Sequence, residues 1–110
     1  MKKPDPYNPE CPSRELIDVI GDKWTLLILP ALSAGPKRNS ELLREIGGIS
    51  QKMLTQTLKR LENYNLLERR DYQTVPPHVD YRLTKLGKSL GKLVAGVDQW
   101  VIKNFYKIQN

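Results

Sequence analysis

Residues 40–64 read SELLREIGGISQKMLTQTLKRLENY, and this stretch decides the fold. Two short segments with helical spacing of apolar residues meet at Gly47-Gly48, a pair typical of a tight turn. In the second segment three leucines are spaced four and three residues apart and therefore share one helix face: Leu54, Leu58 and Leu61. We expect two helices joined by a turn, the second over about residues 50–64.

The opposite face of this second helix is polar and carries no acid; it consists of Gln51, Lys52, Thr55, Gln56, Lys59 and Arg60. An amide can pair with an adenine edge, a lysine with guanine, and a threonine methyl can touch thymine. We expect the cations further along the helix, Lys59 and Arg60, to grip phosphates, and Ser50 with the first free N–H groups to do the same. The pattern predicts a helix that lies in a groove of duplex DNA.

The net charge of +6 is concentrated in one part of the chain. Residues 37–92 contain 12 Lys and Arg against 6 Asp and Glu, whereas the remainder contains 6 of each sign. A polyanion is the natural partner of such a segment. Lys37 and Arg38, just before the first helix of the pair, are a second candidate phosphate contact. The alternative is a solvated face that only maintains solubility.

The length of 110 residues fits one domain. We expect a flexible, extended arm over residues 1–10, which contain three prolines, and a single domain over residues 11–110. No apolar run is long enough to span a membrane, and the first residues do not form a signal-peptide core, so we expect a cytoplasmic protein.

An enzyme, a metal and a cofactor are not expected. One cysteine and one histidine cannot supply the usual zinc ligands within one chain. The serines have only His78 as a candidate base and no glycine-rich elbow around them. Gly47-Gly48 lacks the Lys-Ser/Thr continuation of a phosphate-binding loop.

The remaining pattern predicts helices over residues 12–20 and 23–33 and a third helix capped by Ser40. We expect Pro30 to bend or end the second helix. Residues 66–72 and 78–83 are predicted to be two strands separated by a stiff tip, the second with Asp80 and Arg82 turned outward.

A long last helix over about residues 85–106 should begin at a Thr84 cap. It carries an apolar seam that exceeds the needs of one small domain. We expect this seam to form a homodimer interface through Leu90, Leu93, Val97, Trp100, Val101 and Phe105. The alternative is a helix folded back onto its own core.

An ordered set of motifs resembles the HxlR-type winged helix-turn-helix transcription regulators, relatives of the MarR group. The motifs are Cys11-Pro12, IGDKWTLLIL at 20–29, GPKR at 35–38, Glu41-Leu42, GISQKMLT at 48–55, Leu58, Leu61, Leu66, Val75-Pro76-Pro77, Val79-Asp80-Tyr81, Leu83-Thr84 and Leu86-Gly87. The resemblance implies an α+β, mostly α fold with N-terminal and long C-terminal dimerisation helices. It further implies a homodimeric, sequence-specific regulator on a pseudo-palindromic duplex operator, with residues 50–64 in the major groove and the wing, residues 66–83, at the minor groove.

Two wing residues, Arg70 and His78, are candidate DNA contacts. The family commonly has Arg or Lys where His78 stands, so the resemblance implies a weaker wing contact near neutral pH.

Cys11 is a candidate redox or electrophile sensor. It directly precedes Pro12 at a helix start, where the helix dipole stabilises a thiolate, and Arg14 and Lys23 could add positive potential. Several members of the resembled family sense oxidants or electrophiles through a cysteine at this place. The alternative is a small, half-buried hydrophobe at the dimer edge.

Two other functions stay open at this point. One is a regulator that responds to a small molecule without cysteine sensing, with the ligand near Trp24, Trp100 and Phe105. The other is a winged helix that binds RNA or an acidic protein partner through its basic face.

Overall fold

The computed structural model describes residues 3–108. Within this range the elements are α1 (Pro12–Ile20), α2 (Lys23–Ser33), α3 (Asn39–Glu45), α4 (Gln51–Asn63), β1 (Leu67–Asp71), β2 (Val79–Leu83) and α5 (Lys85–Ile108). The fold is α+β and mostly helical, a winged helix-turn-helix with a long last helix, as predicted. The two strands are each shorter than predicted, and α5 extends two residues further.

Helix α2 forms the centre of the molecule because it is apolar on nearly all sides. Its residues Ile28, Leu29 and Leu32 are buried, and it packs against α1, α3, α4 and α5. Asp22 caps its start by accepting the Trp24 N–H at 2.9 Å. The helix runs through Pro30 to Ser33, as the predicted bounds had it, so of the two expected effects of that proline it does not end the helix.

The cap of α3 differs from the prediction. The helix begins at Asn39, Arg38 is the N-cap residue, and Ser40 lies in the first turn. The carboxylate of Glu41 accepts the backbone N–H of Arg38 at 2.8 Å. This hydrogen bond satisfies an N–H at the start of α3 that has no partner within the helix. Ser40 was therefore the wrong cap.

Helix α4 is held at both ends by hydrogen bonds that its sequence specifies. Before it, Gly48 adopts a φ of +85°, a conformation that favours glycine. At its start the Ser50 hydroxyl accepts the Met53 N–H at 3.0 Å. At its end Asn65 adopts a φ of 59°, while Leu66 N–H donates to the Leu61 carbonyl at 3.0 Å.

The wing is an antiparallel pair in which Leu67 lies opposite Leu83 and Asp71 opposite Val79. The backbone of Tyr81 exchanges hydrogen bonds of 3.0 and 2.8 Å with Lys37. The segment before α3 is thereby attached to the wing.

Helix α5 begins at the predicted cap, since the Thr84 hydroxyl accepts the Gly87 N–H at 3.0 Å. Its first half packs on α2 and the wing through Gly87, Gly91 and Val94, all buried. The second half continues beyond this core, and most of its apolar side chains are exposed in the single chain.

Part of the predicted arm forms turns rather than an extended segment, over residues 6–10. Asn8 N–H donates to the Asp5 carbonyl at 3.1 Å, and Cys11 N–H donates to the Asn8 carbonyl at 3.0 Å. The flexibility of the arm and the single-domain boundary remain predictions. Residues 1–2 and 109–110, which belong to those predicted segments, lie outside the described residues. Among the described residues, no helix combines the length and apolarity that crossing a membrane requires.

Candidate nucleic-acid interface

The outer face of α4 is polar and open to solvent. Its buried face consists of Leu54, Leu58 and Leu61, each at most 1% exposed, which fixes the rotation of the helix about its axis. Exposed on the other side are all the residues predicted there, namely Ser50, Gln51, Lys52, Thr55, Gln56, Lys59 and Arg60. The amide of Gln51 donates to the Thr55 hydroxyl at 3.1 Å, so two candidate base contacts are ordered together.

Lys37 and Arg38, the second predicted phosphate contact, lie in different environments. Arg38 is exposed at the start of α3. The ammonium of Lys37 instead forms an ion pair with Glu45 at the end of α3 and is mostly shielded. Lys37 could therefore reach a phosphate only after leaving that carboxylate, a restraint that the sequence did not reveal.

One face of the wing carries three cross-strand pairs. In the register of the sheet, Glu68 lies opposite Arg82 and Arg70 opposite Asp80. Just beyond the strands, Tyr72 N–H donates to the His78 carbonyl at 2.9 Å and the two rings lie 4.3 Å apart.

Arg70 is about half exposed, and its guanidinium lies 3.9 Å from Glu68 and 5.9 Å from the centre of the Tyr72 ring. His78 is partly shielded, with its Nε2 3.7 Å from an Asp80 oxygen. Of these two candidate DNA contacts, Arg70 is the more accessible.

Asp80 lies on the outer face of the wing, as the alternation predicted, but it is not open to solvent, since it is only 6% exposed. Its carboxylate accepts the Tyr72 hydroxyl at 2.9 Å and lies 3.5 Å from the Arg82 guanidinium. Arg82 also donates to the Tyr72 oxygen at 2.9 Å and is itself partly shielded. The neighbouring side chains therefore cover a carboxylate that does not face the core.

The predicted dimer seam is exposed in the single chain, with one exception. The exposed members are Leu93, Val97, Trp100, Val101 and Phe105, whereas Leu90 partly packs against the core. Leu93 is 72% exposed. An apolar cavity of about 350 Å³ continues this face and is lined by Leu16, Ile20, Tyr64, Leu66, Leu86, Ser89, Leu90 and Leu93. None of the three aromatics that were expected near a small ligand lines this cavity.

Cys11 is half-buried at the N-cap of α1. Its sulfur lies 3.1 Å from the Ser13 hydroxyl and accepts the Asp5 N–H at 3.5 Å. The hydrogen bond with the Ser13 side chain, followed by those from the Asp5 and Ser13 backbones, lowers the pKa of the thiol, while burial and the Asp5 charge oppose this. The cations predicted to lower it, Arg14 and Lys23, are not the cause.

The HxlR-like helix-turn-helix family model matches residues 19–109. This chain belongs to that family. It is 42% identical over 108 residues to the HTH-type transcriptional regulator YtfH of Escherichia coli (strain K12), an alignment that covers 98% of this chain and 86% of YtfH.

Solved structures agree with this assignment. A ytfH transcriptional regulator from Salmonella typhimurium superposes with a TM-score of 0.90 at 40% identity, over 96% of this chain and 95% of that one. The redox regulator HypR in its oxidized form superposes with a TM-score of 0.79 at 37% identity, over 86% of this chain and 97% of HypR. The HxlR-like chain is a transcriptional regulator with a helix-turn-helix domain.

The sequence patterns of this HxlR-like chain did not reveal the contacts that Glu45 and Tyr72 make or the burial of Asp80. The register of the two predicted strands could have revealed that Tyr72 and His78 lie opposite each other. Within residues 3–108, no cluster of three His, Cys, Asp or Glu side chains is arranged to hold a metal ion.

Proposed function

We propose that this protein is a homodimeric, sequence-specific duplex DNA-binding transcription regulator that acts in the cytoplasm and inserts α4 into the major groove. The observation that carries this proposal is the division of α4 into a leucine face at most 1% exposed and an open face of amides and cations. Burial of the leucines fixes which side points outward, and an acid-free surface suits a polyanion.

The candidate contacts divide by position along α4. Gln51, Lys52, Thr55 and Gln56 occupy the first two turns, where side chains of a recognition helix reach base edges. Lys59 and Arg60 lie further along and contact phosphates, as do Ser50 and the first backbone amides. Flanking phosphate contacts come from Arg38 and, when it leaves Glu45, from Lys37. Arg70 and His78 of the wing lie beside the minor groove.

A second copy of the chain covers the exposed apolar face of α5 and the adjoining cavity. Leu93, Val97 and Trp100 are exposed large apolar residues that lie on one side of this helix, and burying them is favourable at about 25 cal/mol for each Å². Pairing through α1 and α5 makes the DNA-binding surface two-fold symmetric. The operator is therefore a pseudo-palindrome with half-sites about 34 Å apart.

Cys11 makes the regulator responsive to oxidants or electrophiles. Its lowered pKa increases the thiolate fraction, which is the reactive form. Diamide, an azo oxidant, accepts two electrons and two protons from Cys11 and the partner subunit's Cys11; an S–S bond forms and diamide becomes a hydrazine. A bond between the two α1 starts changes the spacing of the α4 helices and releases DNA. The structural similarity to a protein named as a redox regulator, HypR, supports this proposal.

The full-length protein, incubated with a library of random duplexes, tests the proposed function. We expect recovery of a pseudo-palindromic duplex that is bound at least a thousandfold more tightly than a shuffled one. Equal affinity for both duplexes would favour the RNA or acidic-protein partner instead. In the same assay Cys11→Ser should abolish release by diamide, whereas a wild-type response in that variant would remove Cys11 as the sensor.

A further inference from the structure

The tip of the wing is uncharged although it belongs to the basic half of the chain. Between the two strands, residues 73–77 are Gln-Thr-Val-Pro-Pro, and all five are exposed. Val75 is 99% exposed. A single exposed valine is common on protein surfaces, but this one stands at the apex of the element proposed to lie beside the minor groove.

Two hydrogen bonds hold the shape of the tip in the single chain. Gln73 N–H donates to the Asp71 carboxylate at 2.9 Å, and the Thr74 hydroxyl donates to the Pro76 carbonyl at 2.8 Å. Each proline ring also fixes one backbone angle. A pre-organised loop loses little conformational entropy on binding, so a small contact surface at its apex can contribute to affinity.

At the base of the tip, the cation Arg82 is held within the wing and does not point toward the proposed groove contact. Arg82 is turned into the wing, where it contacts the Tyr72 hydroxyl and the buried Asp80 carboxylate. Arg70 lies two residues before Tyr72, as the next-to-last residue of β1, with its guanidinium 3.9 Å from Glu68. The charged side chains of the wing are therefore set back from its apex, while the apex itself offers apolar groups, one amide and one hydroxyl.

We propose that Val75 contacts the minor groove as an apolar wedge, which rests on the proposed DNA-binding function and deepens it. Apolar side chains can press against the sugar walls of the minor groove or between base steps, where they partly unstack the bases. A cation at this place would be attracted to narrow A·T-rich grooves. A valine instead favours flexible pyrimidine–purine steps, and its contact does not depend on salt.

The test uses the full-length protein and a duplex that the wild type recovers from a random library. Val75→Thr keeps the β-branched shape but replaces one methyl group with a hydroxyl. It should weaken binding by about three- to tenfold at every salt concentration, as expected for the loss of one methyl contact at each wing, and leave the salt slope unchanged. Val75→Arg should make the slope of log K against log salt more negative by about 0.9 for each wing.

A charge-matched control and a base reporter complete the experiment. Gln99→Arg adds the same charge at an exposed position of α5 and should leave the slope unchanged. A 2-aminopurine placed at the flanking step protected by the wing should brighten with wild type and less with Val75→Thr.

Failure of this inference is distinct from failure of the proposed function. If the wild type recovers no specific duplex, the proposed function fails. If it does, but both Val75 variants bind with wild-type affinity and slope, the tip does not reach the duplex. If Val75→Arg steepens the slope while Val75→Thr has no effect, the tip reaches the duplex but the apolar wedge is wrong.

Discussion

A Cβ at Gly87 would stand 1.8 Å from the carbonyl oxygen of Leu66. The first turn of α5 thus crosses the backbone between α4 and the wing with no room for a side chain. The same carbonyl accepts the Thr84 N–H at 3.1 Å, so the close approach is fixed from two sides. Glycine at this position is a packing requirement, because the obstructing atom belongs to the backbone and cannot rotate away.

Gly87→Ala should lower the free energy of unfolding. The decrease should equal or exceed the upper end of the range typical of overpacking, about 1–3 kcal/mol. The matched control is Gly96→Ala, also in α5, where an added Cβ meets no atom within 4 Å in the single chain. Alanine there should be neutral or stabilise the helix by about 0.5–1 kcal/mol. Chemical denaturation of both variants measures the difference, and equal losses would contradict the crossing geometry.

Base reading and phosphate contact should separate along α4. Gln51→Ala or Lys52→Ala should cost about 1–3 kcal/mol on the selected duplex and relax the sequence preference. Lys59→Ala should weaken binding to selected and shuffled duplexes alike. Titrations with both duplexes distinguish these outcomes, and the same loss on both duplexes for all three variants would remove the base-reading assignment.

Binding to the selected duplex should depend steeply on salt. We propose roughly 6–10 phosphate contacts for each dimer, which corresponds to a loss of about 10³–10⁵ in affinity between 50 and 200 mM salt. Arg38→Ala should reduce the slope more than Lys37→Ala, because Lys37 is paired with Glu45. A flat salt dependence would contradict an interface dominated by phosphates.

The reactivity of Cys11 should follow its hydrogen bond with Ser13. Because this contact lowers the thiol pKa, the thiolate persists to lower pH than in a free cysteine. Ser13→Ala should raise the pKa and shift the pH profile of iodoacetamide alkylation upward. Ser40→Ala, an exposed hydroxyl change on α3, is the control. If Ser13→Ala reproduces the wild-type profile, Ser13 does not activate the thiol.

The dimer should depend on the exposed face of α5. Leu93→Glu places a charge where a partner is proposed to bury an apolar side chain, so sedimentation should detect a monomer with much weaker operator binding. Gln99→Glu adds the same charge at another exposed position of α5 and should remain dimeric. A dimeric Leu93→Glu variant would place the interface elsewhere.

Local chemistry made much of this fold predictable. Ser50 and Thr84 are small hydroxyl residues before periodic segments, and both cap the expected helices. Ser40 failed as a cap because Glu41 reaches back to the Arg38 N–H, and that hydrogen bond allows the helix to begin two residues earlier than the serine suggests. Local propensity alone could not decide between these two starts.

Long-range pairing was the part that sequence patterns did not reveal. The bridge between Lys37 and Tyr81 involves only one residue on each side. It therefore leaves no alternating pattern in the sequence from which it could be predicted. Asp80 alternates like an outward residue, yet Tyr72 from across the hairpin and Arg82 from its own strand cover it. The open side of α4 was predictable because its leucines are local in sequence, whereas the base pairs it prefers depend on a partner molecule.

The attachment of the Lys37 backbone to Tyr81 gives the molecule a mechanical property. The strand pair is fastened to the segment before α3, and Thr84 fastens the root of α5 to the Asn65 carbonyl. In the proposed dimer we therefore expect α3, α4 and the wing of one subunit to move together with α5 as one rigid unit. A signal then does not need to change the shape of this unit; a changed separation between the two units is enough to release DNA.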